Sequence, residues 1–233
     1  MNAVFKREFN SYFSTPIGFI VLAAFYFFLG LFFSLIYQSG SPDISMVIMA
    51  MSTVAVFTMP VLTMRLMSED RRQKVDQALL TAPVKLTGIV LGKFFAALAV
   101  FALGFAPTVI FEIIIASYVS VNVMSYIYAL FGMLLLGSAL IAIGMFISSL
   151  TESSVISAIL TLVINILVLY MSNFASMINV SWIAAAVEKA AFISAVENFG
   201  ESVLSVPDIL YFVSISAAFL FLCVRSLDKR RWA

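Results

Sequence analysis

Apolar residues fill this chain in long blocks, and polar residues gather where the blocks meet. A helix crossing the hydrocarbon core needs roughly 20 consecutive apolar residues. Six blocks meet that need: Ile17 to Tyr37, Ile44 to Met64, Phe94 to Tyr118, Tyr126 to Ser148, Val155 to Ala175, and Ile209 to Val224. The sixth is the shortest, and Val206 and the charged tail can flank it by snorkelling. The pattern predicts an all-α polytopic membrane protein with six transmembrane helices. Gln38 to Asp43 and Ser120 to Ser125 read as short turns on one side, and Thr151 to Ser154 as a tight turn on the other. Two connections, Arg65 to Lys93 and Ser176 to Asp208, are longer than threading requires, and loops beyond minimal length usually have a task.

Three polar stretches carry helical periodicity of their own. Phe5, Phe9, Tyr12 and Phe13 share a face, with Lys6, Arg7, Asn10 and Ser11 elsewhere. Residues 1–16 therefore read as an interfacial helix in the headgroup plane, serving as an anchor or as a lever at the membrane surface; Pro16 suits the first turn of the span that follows. In the loop 65–93, Ser68 can cap a short helix, Glu69 and Asp70 suit its positive end, and Asp70 precedes Lys74 by one turn. Val75, Leu79 and Leu80 add an apolar patch before Pro83 closes the element. A solvated loop would need no such patch, so a docking helix for a cytosolic partner is the favoured reading. In the segment 176–208, Phe192, Val196, Phe199 and Val203 repeat on one face, Glu197 and Glu201 lie on another, and Trp182 suits an interfacial depth. This predicts re-entrant or interfacial helices at the outer leaflet, either an outer gate or a cap resting on lipid.

Charge gives the blocks a direction. Of the 13 Lys and Arg residues, 12 fall into three clusters. These are Lys6 and Arg7; Arg65, Arg71, Arg72, Lys74, Lys85 and Lys93; and Arg225, Lys229, Arg230 and Arg231. Cations near span ends stay on the cytoplasmic side, so both termini and the loop 65–93 are expected there. Six crossings require the termini to share a side, which agrees. No signal-peptide cleavage pattern precedes the first block, which reads as a retained anchor. At 63% hydrophobic and 11% charged residues, with net charge +1, the chain falls outside the soluble class. With no histidine there is no Ser–His or Cys–His pair, zinc-protease helix or imidazole relay. The single Cys223 excludes an internal disulfide or cysteine metal cluster and reads as a small buried residue.

The stretch LTMRLMSEDRRQKVDQALLTAPVKLTGIVLGKFFAAL resembles the signature of ABC-type export permeases of the type-2 (ABC-2) superfamily. FKREFNSYFSTPIGFIVLAAFYFFLG at the start, LLLGSALIAIGMFISSLTES in the middle and ENFGESVLSVPDILYFVSISAAFLFL near the end fit the same superfamily, most nearly its gliding-motility (GldF-like) branch. The resemblance spans almost the whole chain and implies one transmembrane permease domain over 1–233. It implies a coupling helix after the second span that seats on a separate ATPase, with Glu69, Asp70, Arg71, Arg72, Asp76 and Gln77 as the coupling positions. Val75 departs from the Thr common in the family. It also implies re-entrant elements closing the outer end of the pathway before the last span, here Phe192, Val196 and Phe199.

Remaining residues refine this expectation. Gly88-Ile-Val-Leu-Gly92-Lys93-Phe94 misses the phosphate-binding loop by one spacer residue and by Phe94 in place of the hydroxyl. It reads as a close-packing face at the entry to the third span. Gly132, Gly137 and Gly144 thin the fourth span, with Gly144 and Ser148 a small-xxx-small pair; internal packing is the default there and a subunit interface the alternative. Glu112 lies inside a block, beyond a bend expected at Pro107, and either contacts substrate or snorkels outward. Asn165 is expected to bond a neighbouring helix.

The chain is therefore expected to be the permease subunit of a bacterial ATP-driven exporter, with no catalytic, metal or cofactor site of its own. It would sit in the plasma membrane beside a second permease copy or relative and over two cytosolic ABC ATPases supplying ATP and Mg²⁺. Lipids and an accessory membrane protein are the other partners, and nucleic acid is not. The alternatives are a self-energised carrier or channel, or a non-transporting scaffold of surface machinery.

Overall fold

The computed structural model describes residues 1–38, 40, 43–72, 86–118, 122–171, 192–200 and 205–231. Among these the chain forms ten helices and no strand. They are α1 (Asn2–Ser14), α2 (Pro16–Gln38), α3 (Ile44–Thr63), α4 (Ser68–Arg72), α5 (Leu86–Gly104), α6 (Ala106–Ala116), α7 (Val123–Leu150), α8 (Ser154–Leu169), α9 (Phe192–Gly200) and α10 (Val206–Arg231). Five stretches are long and apolar enough to cross a bilayer: Pro16–Gln38, Ile44–Arg72, Leu86–Ala116, Val123–Leu150 and Val206–Lys229. Helix α8 has 16 residues, and the block predicted to run on to Ala175 leaves the described residues after Met171. The last span is longer than its apolar block suggested. Pro207 fits the first turn of α10, and the helix continues through Arg225 and Lys229 to a length of 26 residues.

Helix α7 is the axis of the bundle, packed on α3, α5, α8, α9 and α10. Its small residues allow this. A Cβ on Gly137 would overlap the Phe101 ring of α5, and one on Gly132 would stand 2.6 Å from Phe199 of α9. Phe101 in turn makes edge contacts with Phe25 and Phe105, centroids 5.5 and 5.2 Å away, which ties α2 to the same core. These glycines serve internal packing. Cys223 is buried against α7, as expected. By contrast, α2 and α10 keep Phe19, Phe27, Leu35, Val213 and Phe221 exposed. In water such faces would drive aggregation, whereas hydrocarbon matches them.

Two local features follow from single residues. Pro107 has no N–H to give to the Leu103 carbonyl one turn back, so the third span breaks at Phe105 into α5 and α6. The Tyr26 hydroxyl takes the vacated place, donating to Leu103 O at 3.2 Å. The N-terminal helix α1, expected to lie in a headgroup plane, packs into the bundle. Tyr12 is 8% exposed, and its phenol donates to Leu62 O of α3 at 2.9 Å. Burial holds its pKa far above the usual tyrosine value, so it stays a donor. Gly92 of α5 admits α1 closely, since a Cβ there would meet Val4 Cβ at 3.0 Å and Met1 O at 3.2 Å. The expected glycine packing face thus exists at Gly92, and its partner is α1. The rings of Phe5, Phe9, Phe13 and Phe19 run as a ladder with successive centroids 5.8, 5.2 and 5.7 Å apart.

Candidate functional site

At the basic end of the bundle, α1, α4 and the first turns of α5 converge. The chain leaves α3 through Met64–Met67 and starts α4 with amides that lack an intrahelical acceptor. Ser68 was expected to cap this start. It is instead the first helical residue, and its hydroxyl donates back to Met64 O. The amides of Met67 and Ser68 donate to Ser148 Oγ of α7 at 3.1 and 3.0 Å, and that hydroxyl donates to Met64 O at 3.1 Å. One serine on the central helix therefore both caps α4 and closes the turn before it.

Lys93 is the hub of the cluster. It is 1% exposed, donates to Leu66 O at 2.5 Å, and pairs with Asp70 at 2.7 Å and Glu8 at 3.2 Å. Arg7 reaches the same two carboxylates, at 2.5 Å to Glu8 and 3.8 Å to Asp70. Burial opposes the charge of Arg7, but the hydrogen bond and field of Glu8 and the field of Asp70 outweigh it, so its pKa is raised. Two cations and two carboxylates thus close a neutral quartet across three helices. A buried ammonium without them would be strongly unfavourable.

Further pairs surround the quartet. Arg65 Nη2 donates to Glu69 Oε1 at 2.5 Å. Arg71 crosses to the turn between α7 and α8, where Nη2 meets Glu152 at 2.8 Å and Nη1 donates to Leu150 O at 3.0 Å. Of the six sequence-designated coupling positions, Asp70 and Arg71 are thus held by other helices, Glu69 is paired with Arg65 within the α3–α4 corner, and Arg72 is exposed. Asp76 and Gln77 lie outside the described residues, as do Lys74, Val75, Leu79, Leu80 and Pro83. Asp70 has Lys93 and Arg7 as partners, where sequence spacing had pointed to Lys74. Sequence reasoning passed over Glu8 and Glu152, and placed Lys93 in the basic cluster and the glycine-flanked stretch without a carboxylate partner. The usable signal was that Lys93 stands two turns inside an apolar helix, a place where a cation requires a carboxylate. Between α1 and the α3–α4 corner opens a cleft of 380 Å³, with Arg7, Glu8, Arg65, Glu69 and Asp70 on its wall.

The opposite end is apolar. Phe192, Val196 and Phe199 are 1%, 3% and 0% exposed, so the striped face of α9 is turned onto α7, α3 and α8. Phe192 meets Phe212 of α10 at 5.3 Å between centroids, and Asn198 donates to Asp208 at 2.8 Å. This packs α9 against protein, with its apolar stripe withdrawn from lipid. Trp182, Glu201 and Val203 lie outside the described residues. Glu112, half-buried on α6, belongs to a different corner: α6 packs on α3, α2 and α5, and neighbouring Phe111 stacks on Phe33 at 4.4 Å.

A third region holds no charge. Ser157, Thr161 and Asn165 of α8 are all 0% exposed, one turn apart on one face toward α3 and α7. Among the described residues, their side-chain polar atoms have no hydrogen-bond partner. The expected bond from Asn165 to a neighbouring helix is not made among the described residues, although α7 approaches the same face closely enough that a Cβ on Gly144 would meet Thr161 Cγ2 at 3.1 Å. Among the described residues no cluster of His, Cys, Asp and Glu could hold a metal ion.

A family model for ABC-2 type transporters matches residues 1–187. No curated protein matches the chain.

Proposed function

The chain belongs to the ABC-2 type transporter family and is a multi-pass membrane protein, and from that premise we propose that it is the permease subunit of an ATP-driven bacterial exporter, of the gliding-motility branch. The observation that carries the reading is the anchorage of α4. This five-residue helix is tied to α7 by Ser148, to α5 and α1 by Lys93 and Arg7, and to the α7–α8 turn by Arg71. A surface helix joined to that many spans can pass a push into the bundle, and a topological loop needs no such joints. In this reading the basic end faces the cytoplasm, where the Lys and Arg clusters favour it. Two copies, or one copy and a related permease, enclose the path over a pair of ABC ATPases that bind ATP and Mg²⁺. The ATPases meet the outward surface of α4, with Arg72 at the contact; Asp76 and Gln77 keep the coupling role the resemblance implies. Displacing α4 drags the α7–α8 turn through Arg71 and tilts α8, whose orphaned polar face then gains water or protein partners. At the far end, Phe192, Val196 and Phe199 hold the outer gate shut until α7 and α10 separate.

The test is co-expression with the ABC ATPase encoded nearest the gene. A Glu69→Gln, Arg71→Gln and Arg72→Gln triple variant is expected to insert normally yet lose ATPase co-purification and nucleotide-dependent transport. If both persist in the triple variant, α4 is not the docking element.

A further inference from the structure

The cleft between α1 and the α3–α4 corner has a lining with an unusual electrical order. Its side chains carry both signs at two depths. The carboxylates are the deeper set: the side chains of Glu8, Glu69 and Asp70 are 13%, 21% and 22% exposed. The guanidiniums of Arg7 and Arg65 stand at the rim, 44% and 35% exposed. With Lys93 behind the floor, three cations balance three anions, so a ligand of net charge would unbalance the site. A free anion would face the acidic floor, and a free cation would pass two guanidiniums to reach it. A dipolar ligand with its cation leading and its anion trailing matches both layers.

Position narrows the ligand further. The cleft opens where α2 begins and α3 ends, with Ile17 and Leu62 on its wall beside the charged groups. One mouth thus offers guanidiniums and aliphatic side chains together, at the level where a phospholipid changes from headgroup to acyl chain. The 380 Å³ volume lies in the roughly 300–1,000 Å³ range of small-molecule sites. We propose that the cleft binds the headgroup of a phospholipid ending in a primary ammonium, with the ammonium on Glu8, Glu69 and Asp70 and the phosphate between Arg7 and Arg65. The ammonium supplies N–H donors that a trimethylated headgroup lacks, and the phosphate is the bidentate partner that guanidinium prefers. The bound lipid would bridge α1 to the start of α4, so leaflet composition would bear directly on the helix cluster described above. This inference stands on the cleft and on membrane embedding, and holds whether or not an ATPase docks.

Native mass spectrometry of the purified full-length chain tests it. The chain is offered phosphatidylethanolamine, its N-trimethyl counterpart phosphatidylcholine, and phosphatidylglycerol, all with the same acyl chains. Retention of phosphatidylethanolamine is expected to exceed both others by about tenfold, the scale of a charge-assisted hydrogen bond. Arg65→Gln with Glu69→Gln keeps the lining neutral and is expected to abolish the preference. Ser11→Leu, which obstructs the cleft from an exposed position, is expected to do the same without touching a charged group. Equal retention of phosphatidylcholine overturns the proposal, as does a preference unchanged in both variants. Binding of soluble O-phosphoethanolamine as tightly as the lipid also overturns it, by assigning the cleft to a free zwitterion.

Discussion

Four charged side chains meet at the basic end of this bundle, and three uncharged polar ones line the buried face of α8. At the basic end Lys93 and Arg7 answer Glu8 and Asp70 across α1, α4 and α5. On α8, Ser157, Thr161 and Asn165 are fully buried and have no partner among the described residues. Charge is the costlier thing to bury, yet it is the charged region that is satisfied. In the coupling proposed above, the difference separates a joint from a moving part. A paired network resists displacement because each partner left behind becomes an unpaired charge. An unpaired neutral stripe makes its present position unfavourable by roughly 1–3 kcal/mol for each group, so a displaced α8 that finds partners recovers that free energy.

The sharpest way to break the contrast is at Lys93. Lys93→Met strands Glu8 and Asp70 beside Arg7 alone, and removing one member of a buried ion pair costs about 3–5 kcal/mol. The denaturation midpoint in mild detergent should fall accordingly. Adding Glu8→Gln and Asp70→Asn to the same chain should return much of the loss. If the single variant unfolds like the parent, the quartet is not a structural joint.

The stripe should respond in the opposite direction. Asn165→Leu replaces two orphaned polar groups by an apolar side chain of similar size and should stabilise the protein by about 1–3 kcal/mol. The same change removes what α8 gains by moving, so transport should slow while stability rises. A destabilised Asn165→Leu protein would mean that the stripe already has partners. Ser148→Ala should have a smaller effect, about 1 kcal/mol, the scale of a lost helix cap. Amide exchange at Met67 and Ser68 should quicken first, since those are the amides Ser148 accepts.

The contrast also shows what the sequence could reveal. Spans were legible because twenty apolar residues in a row admit few other structures, and the glycines of α7 announced close packing before any neighbour was known. The bend at Pro107 was legible because a missing N–H has a fixed consequence. The hub was not. Lys93 and Asp70 are 23 residues apart and Lys93 and Glu8 are 85 apart, and no local periodicity reports a pairing made by the convergence of three helices. The same limit explains the Ser68 cap, which local spacing suggested and a serine 80 residues away supplied. Asn165 inverted a sound rule, since a polar residue in a span usually finds a partner.

The smallest expected change in stability comes at the joint that links the two regions. Arg71 and Glu152 are 29% and 66% exposed, 2.8 Å apart, so water and salt screen their attraction, and the pair should contribute less than about 1 kcal/mol. The mechanical role proposed for it is separate from its energy, because Arg71 also holds Leu150 O and so grips the backbone where α7 ends. Arg71→Glu should leave the unfolding midpoint nearly unchanged. It should still reduce nucleotide-dependent transport, because α4 can then move without carrying α8 along. Glu152→Arg in the Arg71→Glu background reverses both signs and should recover part of the transport without restoring the carbonyl contact. Recovery in the swapped pair with no shift in midpoint would show that α8 is driven through this strut. Transport that stays at the parental rate in Arg71→Glu alone would show that α4 acts on the bundle through Lys93 and Ser148, and that the orphaned face of α8 has another driver.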